Sequence, residues 1–287
     1  MKFIIWIQIL LPLRFLSSIV HALARLRLGG LVHFLIRRYV RFFGVNLAES
    51  EKNQPEDFDS FNTFFTRALK PGARTIDPSP RAISSPVDGR VFETGQFLDG
   101  GRVVAKGRGF SLNQLLGGEF ERSSRFMEGQ FATLYLSPGD YHRIHMPIDG
   151  RLAQMIYIPG RLFSVHPASV NNIENVFARN ERVVLLFETE HGPMAMVLVG
   201  ALFVGSIECT WAGEVTKPRG SRVEVWDYED KPELNFSKGD EVARFNMGST
   251  VVLILSDLTF NWEEWLTAGS CVQVGQAIAS RKKLSTI

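Results

Sequence analysis

The sequence predicts an α+β fold, in which a mostly β domain with a few helices follows a basic, amphipathic N-terminal segment. From Ile83 to the C-terminus, short apolar runs rich in β-branched residues alternate with glycine, proline, asparagine and aspartate, as in strands joined by turns. Residues 1–48 contain lysine and arginine but no acidic residue, although the whole chain of 287 residues has a net charge of only +2. A hydrophobic content of 45% supplies enough core for one large domain or two small ones.

Residues 3–24 are nearly all apolar and permit three interpretations. A membrane-spanning helix of about 20 residues would be long enough. However, Arg14 near the bilayer centre would cost about 2.5–3.5 kcal/mol, and Pro12 would break or kink the helix. A signal peptide would be consistent with Lys2 and with the small residues of Ala22-Leu23-Ala24, but Arg14 interrupts its apolar stretch. The third interpretation is a set of helices lying in the membrane surface.

Residues 31–43 favour the third interpretation. On a helical wheel His33, Arg37 and Arg41 share one face, whereas an apolar face is formed by Val32, Leu35, Ile36, Tyr39 and Phe43. Gly29-Gly30 provides a hinge before this helix, and each basic residue near an anionic lipid surface contributes roughly 1 kcal/mol. We therefore expect residues 1–48 to form basic amphipathic helices on an anionic membrane surface. A pair of core-packing helices with solvated arginines is the alternative.

Residues 49–287 are expected to form the folded domain, with the polar, acidic stretch from Ala48 to Phe58 as its lead-in linker. Strands are predicted at the apolar runs Phe131–Leu136, Met155–Ile158, Val183–Phe187, Met194–Phe203 and Val251–Leu255. Helices are predicted at Phe61–Leu69, Ser111–Leu116 and Ser169–Phe177.

The tripeptide Gly248-Ser249-Thr250, directly before the apolar run Val251–Leu255, could carry chemistry. Because glycine has no Cβ, the Ser249 hydroxyl has room to approach the carbonyl carbon of Gly248 and to attack its own preceding peptide bond. Such an attack turns an amide into an ester and can cut the chain. Gly-Ser also occurs elsewhere in the sequence, and a turn that enters a strand is the alternative interpretation.

Two of the six histidines, His142 and His145, lie in the short segment Tyr141–Pro147. His-x-x-His can chelate a metal, but no cysteine or glutamate stands at a convincing third position, and we expect no metal. Imidazole suits acid–base chemistry near neutral pH; a pair of polar turn residues is the alternative. Cys209 and Cys271 match no metal spacing and are interpreted as buried thiols, with a disulfide between them left open.

Asp88 is the third candidate, although Asp88-Gly89 is first of all a turn signal. Together, Asp88, His145 and Ser249 supply the parts of a triad. A carboxylate orients an imidazole, the imidazole takes the hydroxyl proton, and the oxygen attacks a carbonyl. A membrane-bound serine hydrolase that uses the same three residues on an external ester is the alternative. No Gly-x-Ser-x-Gly sequence surrounds Ser249, which counts against it.

Several segments resemble those of the bacterial membrane-associated phosphatidylserine decarboxylases and occur in that family's order. They are Pro86-Val87-Asp88-Gly89, Tyr141–Pro147, Leu162-Phe163-Ser164-Val165, Phe177-Ala178-Arg179-Asn180-Glu181-Arg182-Val183, Val204-Gly205-Ser206-Ile207-Glu208 and Met247-Gly248-Ser249-Thr250. The resemblance covers nearly the whole chain after about Phe58, whereas the N-terminal helices are similar in character more than in sequence. Met247 stands where the family often has leucine, a substitution that is conservative in size and flexibility.

The resemblance implies a proenzyme that cuts itself between Gly248 and Ser249 into a β chain of residues 1–248 and an α chain of residues 249–287. Ser249 would attack the Gly248 carbonyl, with His145 as the base and Asp88 as the partner that orients it. Ser249 would then become a covalent pyruvoyl group, the cofactor. A Schiff base between this group and the amine of phosphatidylserine would accept the electrons left by departing CO2, and hydrolysis would release phosphatidylethanolamine. His142 is our candidate for the proton donor to the carbanion.

The resemblance also implies a role in phospholipid biosynthesis and a peripheral position on the cytoplasmic side of the inner membrane. The expected partners are phosphatidylserine, an anionic membrane surface, and the α and β chains of one precursor. No nucleic acid is expected, and a homodimer is left open. In this scheme residues 49–287 form the catalytic domain, and residues 1–48 hold it at its lipid substrate.

Overall fold

The computed structural model of the chain describes residues 13–97, 101, 111–170, 172–202, 206–216 and 220–281. Its architecture is α+β with strands dominant, which confirms the predicted fold class. The helices are α1 (Leu13–Ala24), α2 (Gly30–Phe43), α3 (Phe61–Phe65), α4 (Leu112–Leu115), α5 (Phe120–Ser124), α6 (Pro167–Val170) and α7 (Val176–Arg179), with 3-10 turns at Leu47–Glu49 and Pro55–Asp57. The strands are β1 (Ala82–Ser84), β2 (Gly89–Gln96), β3 (Gln130–Leu136), β4 (Arg143–His145), β5 (Gly150–Ile158), β6 (Arg182–Thr189), β7 (Gly192–Val199), β8 (Ile207–Cys209), β9 (Gly213–Glu214), β10 (Glu224–Asp227), β11 (Asn235–Phe236), β12 (Glu241–Phe245), β13 (Ser249–Leu255), β14 (Phe260–Trp262), β15 (Cys271–Val272) and β16 (Ala277–Arg281).

Three sheets form the core of the described residues. The largest has the strand order β10-β5-β6-β7-β13-β3-β2-β15, with β11 paired to β5. The others run β4-β12-β8-β9 and β1-β16-β14. Strand β13 pairs antiparallel with β3 on one side and β7 on the other, so that Val251 lies opposite both Leu134 and Leu198. The strand that begins with Ser249 is therefore an interior strand of the largest sheet.

Strand β13 is buried on both faces, which explains why its apolar run is unbroken rather than alternating. Val251 and Leu253 face a core cluster shared with strands of the smaller sheets, whereas Val252 and Ile254 face a second cluster shared with helices α4 and α7. Fully burying each such side chain contributes about 1.5–3 kcal/mol. These contacts would hold β13 in the sheet even if the chain were cut before Ser249.

Residues 31–43 form a helix as predicted, but its predicted apolar face does not lie wholly on the protein surface. Val32 and Ile36 are buried because they pack against Phe64 and Phe65 of α3, so they face the protein core. The apolar side chains that α1 and α2 leave exposed are Phe15, Ile19, Leu23, Leu31, Phe34, Leu35, Phe42 and Phe43. Within the described part of the chain, no helix has both the length and the apolar character needed to cross a membrane.

Helix α1 is tied to the domain through its polar side chains. Arg14 donates a hydrogen bond to the Gly220 carbonyl (2.6 Å) and lies 3.4 Å from a carboxylate oxygen of Glu181. His21 and Arg25 both contact Glu214. These three basic side chains therefore fix helix α1 to the rest of the protein.

The remaining predicted elements differ mainly at their ends. The helix at Phe61–Leu69 ends at Phe65. The one at Ser169–Phe177 is two short helices, and Asn175 between them has a positive φ of 55°. The strand predicted at Met194–Phe203 ends at Val199, and Phe203 lies outside the described residues. Both cysteines are free, and the prediction that both are buried is wrong for Cys271, which is exposed.

Candidate active site

Ser249 is the first residue of β13 and lies in the protein interior. The residue is 1% exposed, and its Oγ has no hydrogen-bond partner in the structure. Its neighbour Thr250 is equally buried, and its Oγ1 also has no partner. Because buried hydroxyls are normally hydrogen-bonded, the unpaired Ser249 Oγ is a candidate for chemistry. Successive residues of a strand face opposite sides of the sheet, so the Thr250 hydroxyl lies on the other face.

The backbone just before Ser249 is strained. Met247 has a φ of 104°, which L-residues rarely adopt, and such conformations cost about 1–3 kcal/mol. Its side chain packs against the core cluster shared by α2 and α3. Asn246 is anchored on both sides, since its Nδ2 donates to Ser206 Oγ (2.7 Å) and its Oδ1 accepts from Asn62 Nδ2 (3.1 Å). The strain at Met247 is thus held in place from several directions and lies next to the peptide bond predicted to break.

His142 lies beside that peptide bond. A Cβ built on Gly248 would be 4.0 Å from His142 Nε2, and it would meet no other heavy atom within that distance. His142 Nδ1 lies 2.8 Å from the Asp140 carbonyl oxygen, so Nδ1 carries the proton and Nε2 is an acceptor. Nε2 is buried and has no partner. Burial, and after it the Arg67 guanidinium, lowers the pKa of His142 to about 3, against the opposing effect of the Asp140 hydrogen bond.

His145 ends β4, and other groups occupy both of its ring nitrogens. Nδ1 donates to the Gly239 carbonyl (2.7 Å), and Nε2 accepts from the Tyr141 hydroxyl (2.9 Å). Burial lowers the pKa of His145, although the hydrogen bond to Gly239 opposes this shift. The neutral ring therefore has one acceptor nitrogen, and Tyr141 covers it.

Asp88 is 7% exposed, and its carboxylate is fully engaged by other partners. Arg74 Nε lies 3.0 Å from Oδ1, Arg74 Nη2 lies 2.5 Å from Oδ2, and the Val274 amide donates to Oδ1 (2.8 Å). The following residue, Gly89, is required by the approach of β3, because a Cβ there would lie 2.3 Å from the Tyr135 carbonyl oxygen.

The structure therefore does not contain the hydrogen bonds expected among Asp88, His145 and Ser249. Asp88 and His145 are near neighbours, since the His145 amide donates to the Pro86 carbonyl (2.8 Å). Even so, the hydrogen-bond partner of His145 Nδ1 is Gly239 and not Asp88, and no hydrogen bond joins Ser249 Oγ to His145. The structure instead brings His142 to Gly248. The sequence predicts candidate residues for chemistry, but their hydrogen bonding depends on loops that sequence patterns do not specify.

Sequence reasoning missed three side chains of the site: Arg67, Arg74 and Tyr141. Arg67 is buried, and its Nη2 donates to the carbonyls of Gly139 (3.1 Å) and Asp140 (3.2 Å). Tyr141 could have been found, because it stands in the same segment as both histidines. The two arginines carry no comparable signal, since charged residues in a loop usually face solvent.

The segment around Asn180 has a structural role. Its buried side chain donates to the carbonyls of Phe163 (2.8 Å) and Gly200 (2.9 Å) and accepts from the Phe163 amide (3.0 Å). Arg182, two residues further on, donates to four main-chain carbonyls, those of Gln114, Leu115, Ala178 and Asn180. These side chains join the loops that lead into β6 and out of β7, the neighbour of β13. The described residues include no cluster of three side chains that could hold a metal ion.

Comparison with known proteins agrees with the resemblance in the site segments. The family model described as phosphatidylserine decarboxylase matches residues 61–280, and a second, described as PSD, matches residues 3–44. The chain is 52% identical over 271 residues to the phosphatidylserine decarboxylase proenzyme of Nitrosococcus oceani, with 94% of this chain and 89% of that protein covered. It is 51% identical over 243 residues to the proenzyme of the same name from Marinobacter nauticus, covering 85% of each. For the Methylococcus capsulatus proenzyme the identity is 48% over 274 residues, with 96% and 95% covered. The chain belongs to the phosphatidylserine decarboxylase family.

Proposed function

We propose that this chain is a precursor that cuts itself between Gly248 and Ser249 and then decarboxylates phosphatidylserine to phosphatidylethanolamine. The observation that carries the proposal is the cut point itself. The buried Ser249 hydroxyl has no hydrogen-bond partner and lies at the start of an interior strand, two residues after the strained Met247, and the acceptor nitrogen of His142 lies beside Gly248. The names of the relatives, which include the word proenzyme, support the same activity.

The cutting reaction uses the chain's own groups. Ser249 Oγ attacks the carbonyl carbon of Gly248 while a histidine takes the hydroxyl proton, and the C–N bond breaks as the amide becomes an ester. Removal of the Ser249 Cα proton then expels the Gly248 carboxylate and leaves a dehydroalanine. Water converts this residue to a pyruvoyl group and ammonia. Strain at Met247 would favour the first step if it is released when the peptide bond opens.

We assign the base in this reaction to His145, oriented by Asp88. For this role His145 Nε2 must exchange the Tyr141 hydroxyl for that of Ser249, and Nδ1 must leave Gly239 for Asp88. Each exchange replaces one hydrogen bond of His145 with another, but it also leaves the Tyr141 hydroxyl and the Gly239 carbonyl to find new partners. His142 needs no such exchange to approach Gly248, and the variants in the Discussion separate the two roles.

A pyruvoyl group at position 249 fits the residues around it. His142 Nε2, a buried acceptor with no hydrogen-bond partner in the structure, lies beside Gly248 and is free to contact a group at position 249. Pairing of Thr250 with Tyr135 and Val199 would hold the new end of the α chain in the sheet. The group supplies an electrophilic carbonyl that accepts the electron pair left by departing CO2. His142, whose neutral ring has a vacant Nε2, would take a proton from the incoming ammonium and return it to carbon.

The N-terminal helices supply a surface for the lipid substrate. They expose apolar side chains, and on α2 an open groove of about 650 Å³ is lined by Arg38, Arg41, Phe42 and Phe43, with Phe61 of α3. Exposed apolar residues next to arginines suit an anionic lipid surface. We therefore propose peripheral binding to the cytoplasmic side of the inner membrane. Tyr39 of the same helix donates to the Pro138 carbonyl (2.9 Å), in the loop that leads to His142.

The alternative of a serine hydrolase is weaker on structural grounds. A hydrolase nucleophile must meet an external ester, but Ser249 is 1% exposed and lies within the strand pairing of β13 and β3. An attack on the neighbouring peptide bond needs no such access, and phosphatidylserine needs to reach position 249 only after the cut has freed the chain end at Gly248.

Intact-mass analysis of the wild type and of Ser249→Ala tests the proposal together with an assay for conversion of phosphatidylserine to phosphatidylethanolamine. The expected result is two chains, corresponding to residues 1–248 and 249–287, with the smaller one blocked to Edman degradation. Ser249→Ala should stay intact and inactive. A single uncut wild-type chain, or an active Ser249→Ala protein, would rule the proposal out. Fluorophosphonate labelling of Ser249 in an uncut chain would favour the hydrolase.

A further inference from the structure

Arg74 grips the Asp88 carboxylate through two of its nitrogens. Nε lies 3.0 Å from Oδ1 and 3.1 Å from Oδ2, and Nη2 lies 2.5 Å from Oδ2. The planar guanidinium matches a carboxylate in shape, so a fork of this kind fixes orientation as well as charge. The Val274 amide completes the grip on Oδ1. Since Val274 belongs to the proposed α chain and Arg74 to the β chain, Asp88 would join the two chains after cutting.

Arg74 is itself held by a residue from the N-terminal side of the domain. Its Nη2 also donates to Glu49 Oε2 (2.8 Å), and its Nη1 donates to the Ala73 carbonyl (2.7 Å). The Arg74 side chain is 12% exposed. The hydrogen bonds to Asp88 and Glu49 raise its pKa, although burial opposes this shift.

The position of Glu49 is fixed by main-chain pairing. The Lys70 amide donates to the Glu49 carbonyl (2.8 Å), and the Glu51 amide donates to the Ala68 carbonyl (3.1 Å). Ser50 forms a bridge with Leu69. The stretch predicted to be a linker is therefore paired with the domain at residues 49–51. It begins five residues after the end of α2 at Phe43 and contributes a side chain to the Asp88 site.

We propose that Arg74 and Glu49 are positioning residues for self-cleavage: Arg74 holds Asp88 in the orientation from which it can align His145, and Glu49 holds Arg74. This inference rests on the proposed function. Without Arg74, the Asp88 carboxylate, in a residue that is 7% exposed, would lose its cation and turn towards other partners. The other titratable groups that influence this region are Arg67, Asp140, Tyr141 and His145.

The test measures the rate of chain cutting after cell-free synthesis, by intact mass, for the wild type and for Arg74→Gln, Arg74→Lys and Glu49→Gln. Each substitution is also placed in the uncut Ser249→Ala chain to measure its melting temperature. Arg74→Gln should cut at least about tenfold more slowly at neutral pH, because it leaves a buried carboxylate without its cation. Arg74→Lys should recover part of the rate, since it restores the charge without the fork. Glu49→Gln should lose less than Arg74→Gln.

Partial rescue by Arg74→Lys, compared with the melting temperatures in the Ser249→Ala chain, separates positioning from general destabilisation. The matched control is Arg281→Gln, which removes another partly buried arginine–aspartate pair, with Asp257 at 3.1 Å, and should cut at the wild-type rate. Wild-type cutting in Arg74→Gln would overturn the inference, as would equal slowing in Arg281→Gln. If Arg74→Gln does not fold, Arg74→Lys and Glu49→Gln decide by the same comparison. An uncut wild type would instead refute the proposed function, so the two failures are distinct.

Discussion

Arg67 and His142 donate hydrogen bonds to the same atom, the carbonyl oxygen of Asp140. Arg67 Nη2 lies 3.2 Å from this oxygen and His142 Nδ1 lies 2.8 Å from it. Arg67 also holds the Gly139 carbonyl, so one buried guanidinium fixes the loop that sets the tautomer of His142. The same cation is the second cause, after burial, of the low pKa of His142.

Replacing Arg67 with methionine should therefore raise the pKa of His142 and slow the reaction. The loop loses both of its hydrogen bonds from Arg67, and His142 loses the nearby positive charge. We expect decarboxylation to fall by about tenfold or more, in the range of a misplaced acid–base group. Nitrogen NMR of labelled histidine in the uncut Ser249→Ala chain measures the pKa. Arg67→Lys is the control, since it keeps the charge and one donor, and it should shift the pKa less. An unchanged pKa in Arg67→Met would contradict this coupling.

His142→Ala and His145→Ala should have different effects. If His145 is the base for cutting, His145→Ala leaves a single chain, with the cutting rate reduced by about 100-fold or more. If His142 only moves a proton to the substrate, His142→Ala is cut normally but forms no phosphatidylethanolamine. Intact mass and the lipid assay on the same preparations measure both steps. An uncut His142→Ala protein would reverse the assignment, which the closeness of His142 Nε2 to Gly248 makes a real alternative.

The fold class could be predicted from the sequence because the strands that build the core are apolar runs rich in β-branched residues. Val251–Leu255 is an unbroken apolar run because both faces of β13 are buried. This run predicts a buried strand without any knowledge of which strands pair with it. The buried face of α2 was harder to predict, because apolar residues occur around more than one side of this helix. Only the packing of Val32 and Ile36 against α3 shows which side faces the core.

The hydrogen-bond partners within the candidate site could not be predicted from the sequence, and the roles of its candidate reactive residues stay predictions. Histidine, aspartate and serine stand out by chemistry, whereas the partners of Asp88 are Arg74 and the amide of Val274, which belong to no motif. Hydrogen bonds to main-chain atoms, such as that of His145 to Gly239, leave no trace in residue identity at all.

Stability of the uncut chain should fall as the pH is lowered below about 6.5, the ordinary pKa of histidine. The pKa of both His142 and His145 is lowered in the folded chain, so the unfolded chain binds their protons first. Each histidine can remove up to about 1.4 kcal/mol of unfolding free energy per pH unit, from about 6.5 down to its folded pKa. Asp140 and Glu181 act in the opposite direction, because burial raises the pKa of each.

The contribution of His142 is therefore measured as a difference. Urea unfolding of Ser249→Ala at about pH 7 and about pH 5 gives the total slope, and the same measurement on Ser249→Ala with His142→Gln gives the slope without this imidazole. The second slope should be smaller. Equal slopes would mean that His142 titrates in the folded chain as it does in the unfolded one.

The strain at Met247 should speed cutting, and relieving it should slow the reaction. Glycine adopts a φ of 104° without cost, so Met247→Gly should stabilise the uncut backbone locally by about 1–3 kcal/mol, less what is lost in packing against the α2–α3 cluster. If that strain is released on the way to the transition state, cutting slows by about tenfold for each 1.4 kcal/mol relieved.

Two matched variants isolate the backbone effect from the loss of a side chain. Met247→Leu keeps both the packing and the strain, so it should cut at the wild-type rate. Asn175→Gly relieves the other positive φ found at a non-glycine in the described residues, 55° between α6 and α7, and should also leave the rate unchanged. Cutting half-times by intact mass, compared with melting temperatures in the Ser249→Ala background, give the two quantities. Should Met247→Gly be cut as fast as the wild type, the strain would be a by-product of anchoring Asn246, because a conformation that assists bond breaking cannot be removed without a change in rate.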